Sequence, residues 1–238
     1  MSDHIVKSYD ADLQNLRRMV GEMGGIAERM LSDATQALAS RDMDLAQRVI
    51  ALDPKLDALQ REIEEKSIFT IAKRQPMASD LREVVSAIRI ASDLERVGDL
   101  AKNIAKRVVA IAGQFHPVRI VKGVEHMSDL VLEQLKDVLD AYTARDEQRS
   151  VDVWSRDGDI DVLYNSLFRE LLTYMMEDPR NITFCTHLLF AAKNVERIGD
   201  HSTNIAETVY YLATGTSLPT DRPKFETTMD TPSATGAD

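Results

Sequence analysis

Cysteine is all but missing from this chain: Cys185 is the only one in 238 residues. No intramolecular disulfide can form, and a reducing compartment is the simplest setting. Aromatics are 5% of the chain, with one Trp, while Leu, Ala, Ile and Val supply most of an apolar fraction of 44%. That balance favours helix-on-helix packing over a β-sandwich. Ten Gly and seven Pro leave room for long uninterrupted helices. No apolar run approaches the roughly 18–20 residues of a membrane span, and the opening MSDHIVKSYD has no apolar core of a secretory signal. Basic excess is absent too. The formal charge of −10 argues against nucleic acid and anionic lipid as partners, and suits cations or basic protein surfaces. There is no P-loop, GxGxxG, CxxC or HExxH, and no Glu is followed three residues later by His, as di-iron bundles require.

What is present is helical periodicity. Apolar residues at helical spacing (Leu13, Leu16, Val20, Met23, Ala27, Met30, Leu31, Ala34, Leu38) predict a first helix over 3–39, and Leu45, Val49, Leu52, Leu56, Leu59 and Ile63 a second reaching about Lys73. The turn at 74–80 contains Pro76. Ser79 or Asp80 is placed to cap a third helix, Leu81 to Ala112. GQFHP (113–117) interrupts the pattern. A fourth helix to about Ala144, a fifth to Met176 and a sixth from the turn at 177–181 to Ala213 complete the set. From Thr214 the chain is rich in Thr, Pro, Ser, Gly and Asp and reads as a disordered tail.

The six helices form a tandem repeat. A shift of 101 lays Ala91, Glu95, Arg96, Gly98, Asp99, Asn103, Ile104 and Ala105 on Ala192, Glu196, Arg197, Gly199, Asp200, Asn204, Ile205 and Ala206. A shift of 104 lays Arg41–Asp42 on Arg145–Asp146, and Asp53, Leu56, Asp57 and Leu59 on Asp157, Ile160, Asp161 and Leu163. The expected architecture is all-α: two pseudo-symmetric up-down-up three-helix bundles, 1–113 and 117–213, followed by the tail 214–238.

Three features single out the repeated acids. Glu95 and Asp99 continue a face begun by Leu81, Val85 and Ile88; Glu196 and Asp200 do the same after Leu189. In a hairpin centred on residue 76, Asp57 stands level with Glu95 and Asp53 with Asp99. In the second repeat Asp161 with Glu196, and Asp157 with Asp200, centre on 178.5, beside Pro179. Level is not the same as facing. Gly98 and Gly199 occur within each motif, where a helical glycine costs about 1 kcal/mol against alanine; packing and a role near a bound ion account for them equally well. Four carboxylates at one level call for raised pKa values or for cations, and all-oxygen donors suit Mg²⁺, Ca²⁺, Mn²⁺ or iron. An acidic docking face and plain solvated acids are the competing readings. Asn103 and Asn204 extend each stripe as outer supporting groups. Arg96 and Arg197 point about 100° away round the helix and are expected to serve another face. His201, whose counterpart is Leu100, reads as a surface residue, and Cys185 as a small buried one.

ASDLERVGDLAKNIAKR (91–107) and AAKNVERIGDHSTNIAE (191–207) resemble the paired E/D-x-x-x-D signatures of the PhoU family of phosphate-uptake regulators. LQNLRRMVGEMGGIAERMLSDATQAL and DPKLDALQREIEEK are similar as well, so that the resemblance spans about residues 5–212. It implies two pseudo-symmetric three-helix bundles. It also implies a cytoplasmic, non-catalytic negative regulator that links a phosphate ABC transporter, through its ATPase component, to the sensor histidine kinase of the phosphate regulon. Family members bind metal clusters through these acids, which maps divalent or iron-type ions onto Glu95, Asp99, Glu196 and Asp200. Asp53, Asp57, Asp157 and Asp161 are added by the level argument. Peripheral contact with the membrane would come through those partners, and a homodimer is the expected assembly. The alternative is a carboxylate-bundle metalloprotein for metal storage or metal-dependent hydrolysis.

Overall fold

The computed structural model describes residues 2–112 and 118–219. Seven α-helices follow one another: α1 Ser2–Ser40, α2 Met43–Arg74, α3 Ser79–Ala110, α4 Val118–Ala144, α5 Glu147–Ser155, α6 Asp157–Glu177 and α7 Ile182–Thr214, with a 3-10 turn Pro179–Asn181 before the last. Among the described residues there is no strand.

The duplicated Arg–Asp pair has a structural reason. Arg41 and Arg145 take left-handed backbone angles, φ 61° and 54°, and turn the chain between helices. The Asp that follows caps the next helix: Asp42 Oδ1 accepts from the Leu45 N–H at 2.8 Å, and Asp146 Oδ1 from the Arg149 N–H at 3.0 Å. Both satisfy a donor the helix leaves open. The third helix starts otherwise than expected. Ser79 and Asp80 lie inside its first turn, and the cap position is Ala78, which has no side chain to offer.

The fifth expected helix is two helices. It breaks at Arg156, whose N–H reaches only Val153 O. The break precedes Gly158, a poor helix former, and the carbonyl of Arg156 accepts both from the Asp159 N–H and from Gln134 Nε2, each at 3.2 Å. The matching residue of the first repeat is Pro54, inside α2. Proline there withholds an N–H from the helix ladder. Both repeats thus carry a helix-weakening residue directly after the first acid of the D-x-x-x-D pair.

α2 packs on α1 and α3; α5 and α6 pack on α4 and α7; the bundles join through α1 against α4 and α3 against α7. All the apolar positions assigned to the first helix are buried, and the core runs continuously through both bundles. Buried Glu83, 2% exposed, ties them polarly: it pairs with Arg17 of α1 and with Arg145 in the turn between α4 and α5. Charge-assisted pairing satisfies a carboxylate that burial would otherwise penalise. α7 ends at Gly215, φ 80°, and Leu218 packs back on the core. Residues 214–219, counted in the tail by composition, are therefore part of the described structure, Thr214 as the last residue of α7. The rest of that expected tail lies outside the described residues.

Candidate functional site

Level acids prove to be facing acids. Lys102 of α3 lies between two of them, its Nζ 2.7 Å from Asp53 Oδ2 on α2 and 2.5 Å from Asp99 Oδ1. Glu95 has a raised pKa: burial is the main cause, Arg96 opposes it, and the charges of Asp99, Asp57 and Asp53 add to it. All four acids of the first bundle therefore share the groove between α2 and α3. In the second bundle Asp200 is pushed up to about 6, first by burial and then by Glu196, Asp157 and Asp161. Those four share the groove between α6 and α7. Asp157 opens α6, where the exposed N–H groups and helix dipole favour an anion.

The side of the helix that carries the acids is less buried than its apolar residues suggested. Leu81 is 38% exposed, and Val85, Ile88 and Leu189 are only half-buried. The buried face of α3 is instead Val84, Ala87, Ile90, Ala91 and Leu94. The acids thus line a half-buried strip at the edge of the core. Asn103 and Asn204 are half-buried on the same helices, and Asp161 is exposed.

Arg96 is a correction to the expected geometry. Its long side chain folds back along the helix to Glu95 (3.4 Å) and Asp99 (3.6 Å), an i,i+3 reach that the 100° offset of its Cα direction hides. His201 is not a surface residue: half-buried, its Nδ1 lies 2.9 Å from Asp93 Oδ1 of α3, across the junction between bundles. Cys185 is fully buried, and burial raises its thiol pKa.

Three residues were not singled out from sequence. Lys102 lies three residues after Asp99, and Lys193 three before Glu196, its Nζ 2.6 Å from Glu196 Oε1. Helical i,i+3 spacing was the available signal for both. Thr203, at the place in the repeat that matches Lys102, donates from Oγ1 to Asp157 Oδ1 at 2.9 Å. Its role depends on a contact between helices and had no such signal.

The glycines also part company. A Cβ on Gly98 would lie 2.1 Å from Leu56 Cδ2, so the Leu56 side chain of α2 fills the space over this glycine. A Cβ on Gly199 would meet nothing nearer than 3.6 Å. Close approach accounts for the first glycine and not for the second.

Chemically, each groove is a row of hard oxygen donors. Among the described residues no three of His, Cys, Asp or Glu converge closely enough to grip an ion together. The second groove nevertheless contains what a cation would satisfy. Glu196 is 9% exposed, and its Oε2 is buried with no hydrogen-bond partner. None of Asp53, Asp57, Glu95 and Asp99 has such an atom.

Known proteins share the sequence and the two-bundle fold of this chain. The PhoU domain profile matches twice, over residues 20–108 and 124–209, one match per bundle. A "phosphate-specific transport system accessory protein PhoU homolog" of Rhizobium meliloti is 58% identical, covering 98% of this chain and 98% of its own length. A protein of the same description from Caulobacter vibrioides is 54% identical, covering 95% and 98%. The crystal structure of PhoU from Pseudomonas aeruginosa superposes with a TM-score of 0.85 at 38% identity, covering 87% of this chain and all of that one. The phosphate transport system regulatory protein PhoU from Streptococcus pneumoniae gives 0.81 at 31% identity, covering 89% and 99%. With a duplicated domain match, end-to-end similarity and a shared two-bundle fold, the chain belongs to the PhoU family.

Proposed function

We propose that this protein is an accessory, regulatory component of a phosphate transport system. It restrains uptake and phosphate-regulon signalling when phosphate is plentiful, as a non-catalytic cytoplasmic adaptor between the transporter's ATPase component and a sensor histidine kinase. One observation carries the reading from the structure's side. Each acid groove pairs a junction helix, α3 or α7, with an outer helix, α2 or α6, that packs only within its own bundle. Each groove can therefore be engaged without separating the bundles. The related transport accessory proteins set the physiological context. No described helix is long and apolar enough to cross a membrane, so contact with the bilayer would be through partners.

Asp157, Asp161, Glu196 and Asp200 would hold a divalent or iron-type ion in the second bundle; Asp53, Asp57, Glu95 and Asp99 are their counterparts in the first. The second set fits by its oxygen donors and by the unpartnered Glu196 Oε2. The carboxylates would have to turn inward to grip it. A bound cation would give an acidic groove a positive centre able to meet a carboxylate or phosphate group of a partner. The protein's own residues supply the frame: Lys193 holds Glu196 from the rim, and Thr203 holds Asp157 from beneath. His201, engaged with Asp93, and buried Cys185 are not disposed for hydrolysis, which favours the adaptor over the metal-dependent hydrolase.

The test is capture of the purified ATPase component and of the kinase's cytoplasmic portion by immobilised full-length protein, with and without Mn²⁺. The expected result is specific capture of both, weakened at least tenfold in the Glu95→Gln/Asp99→Asn/Glu196→Gln/Asp200→Asn variant. Capture of neither would overturn the adaptor. Capture unaffected by the four substitutions would move the contact elsewhere.

A further inference from the structure

Most of the exposed large apolar side chains among the described residues gather at two hairpin tips: Ile68, Phe69, Met77 and Leu81 about the α2–α3 turn, and Leu172, Met176 and Ile182 about the turn before α7. The repeat ties the two patches together. The shift of 104 that lays Asp57 on Asp161 also lays Ile68 on Leu172, and the shift of 101 that lays Glu95 on Glu196 also lays Leu81 on Ile182. Each of these four is at least 38% exposed. Burying apolar surface is favourable, so a duplicated patch left in water calls for a cover. The patches also share a side with the acids. Ile68 and Leu172 come eleven residues after Asp57 and Asp161; Leu81 and Ile182 come fourteen before Glu95 and Glu196. Eleven and fourteen residues are close to three and four helical turns. Half-buried Ile88 and Leu189 lie between, seven before the motif glutamates. Each groove therefore has two parts, apolar toward its hairpin tip and acidic beyond. Negative charge accumulates in the acidic part. Burial comes first, and the neighbouring carboxylates add to it, in raising Glu95 against the pull of Arg96 and in pushing Asp200 up to about 6. From Leu81 to Asp99 the strip runs about 27 Å along α3, the length of a helix of about 18 residues.

We infer that the α2–α3 and α6–α7 grooves are docking surfaces for an amphipathic helix of a partner protein, with apolar side chains seated at Ile68 and Leu81, or Leu172 and Ile182, and a cluster of Lys or Arg further along the same helix face lying on the acids. The inference rests on the adaptor reading for there being a partner, and it names the chemistry by which that partner is held. A helix in a groove is held by apolar anchors at i, i+3, i+4 and i+7. The charges fix which end of it lies where, because a basic cluster over the apolar tip would lose its ionic partners. Lysine or arginine on the carboxylates supplies positive charge directly, so this contact needs no metal.

The experiment is calorimetric titration of full-length protein, in chelator, with a synthetic helical peptide of about 18 residues. One half carries Leu at i, i+3, i+4 and i+7, and the other half carries Lys at the same spacing. A second peptide of the same composition interleaves Leu and Lys along that face. The expected result is two block peptides per chain, bound at least tenfold more tightly than the interleaved one. Ile68→Ser/Leu81→Ser should remove one site and Leu172→Ser/Ile182→Ser the other. Val162→Ser, which alters an exposed apolar residue one position past Asp161 and so off the strip, should remove neither. All the substituted side chains are exposed, and matching urea midpoints confirm that the variants fold. Equal affinity for the two peptides, or block-peptide binding unmoved by the four apolar substitutions, overturns the inference. Binding that appears only when Mn²⁺ replaces the chelator overturns it too, by assigning the contact to a bound ion. Neither the ATPase component nor the kinase is in this assay. Its failure beside intact capture of those two proteins therefore overturns the docking mode alone, and failure of both assays overturns the adaptor as well.

Discussion

Substituting each motif glycine by alanine tests the packing directly, because the two positions match in sequence and differ in space. In any exposed helix the change gains about 1 kcal/mol of helix propensity. At Gly98 the new methyl would fall 2.1 Å from Leu56 Cδ2, and Leu56 is itself 1% exposed, with Met30 Sδ also within 3.6 Å. Leu56 must leave its rotamer or α2 must move outward; overpacking of this kind costs about 1–3 kcal/mol. With the propensity gain subtracted, Gly98→Ala should destabilise by up to about 2 kcal/mol. At Gly199 the nearest atoms, Val131 Cγ2, Gln134 Oε1 and Ile160 Cγ2, lie at 3.6–3.7 Å, ordinary contact distance. Gly199→Ala should therefore stabilise by about 1 kcal/mol. Urea unfolding followed at 222 nm, at matched protein concentration and in chelator, measures both. Opposite signs are expected, with the variants about 1–3 kcal/mol apart. Shifts in the same direction would refute the account of Leu56 filling the space over Gly98 while nothing crowds Gly199.

Other expectations follow from the charges. Asp200 is raised to about 6 from 3.8, so its native-state penalty is absent below about pH 4, grows as pH rises through that window and is complete above it. Taking about half of the full linkage value to allow for partial exposure, Asp200→Asn should gain roughly 1.5 kcal/mol at pH 7 in chelator and nothing at pH 4; urea midpoints at the two values check this. Lys102→Met leaves Asp53 and Asp99 facing each other without their shared ammonium, and should lose stability at pH 7 that is largely recovered at pH 3–4, where carboxylates take up protons. Glu83→Gln keeps shape but removes the charge held by Arg17 and Arg145, and should cost about 1–2 kcal/mol, a thermal scan deciding. Cys185 should resist Ellman's reagent in the native protein and react at once in denaturant, being buried with a raised thiol pKa.

Sequence alone carried the repeat, the helix class and the identity of the acids, because those depend on local periodicity and on duplication, both written along one dimension. Leu13 to Leu38 could be assigned to a core face by spacing alone, and the twin Arg–Asp turns by their recurrence. The midpoint argument even placed Asp53 level with Asp99, since an antiparallel hairpin converts residue number into height. Rotation about the helix axis is another matter. It is set by which neighbours a helix packs against, so the acids' strip proved to be the edge of the core, Arg96 folded back onto the motif, and His201 turned toward Asp93 in the other bundle. The break at Arg156 also needed the tertiary structure, because Gln134 on α4 gives its carbonyl a second donor beside the Asp159 N–H. Glu83 joins segments 66 and 62 residues away through Arg17 and Arg145, a separation at which no periodic signal survives. Most of all, the difference between the grooves was decided in three dimensions. Lys102 and Thr203 are two ordinary residues in matching places until the packing of α2 on α3 and of α6 on α7 brings an ammonium to Asp53 and Asp99 and a hydroxyl to Asp157.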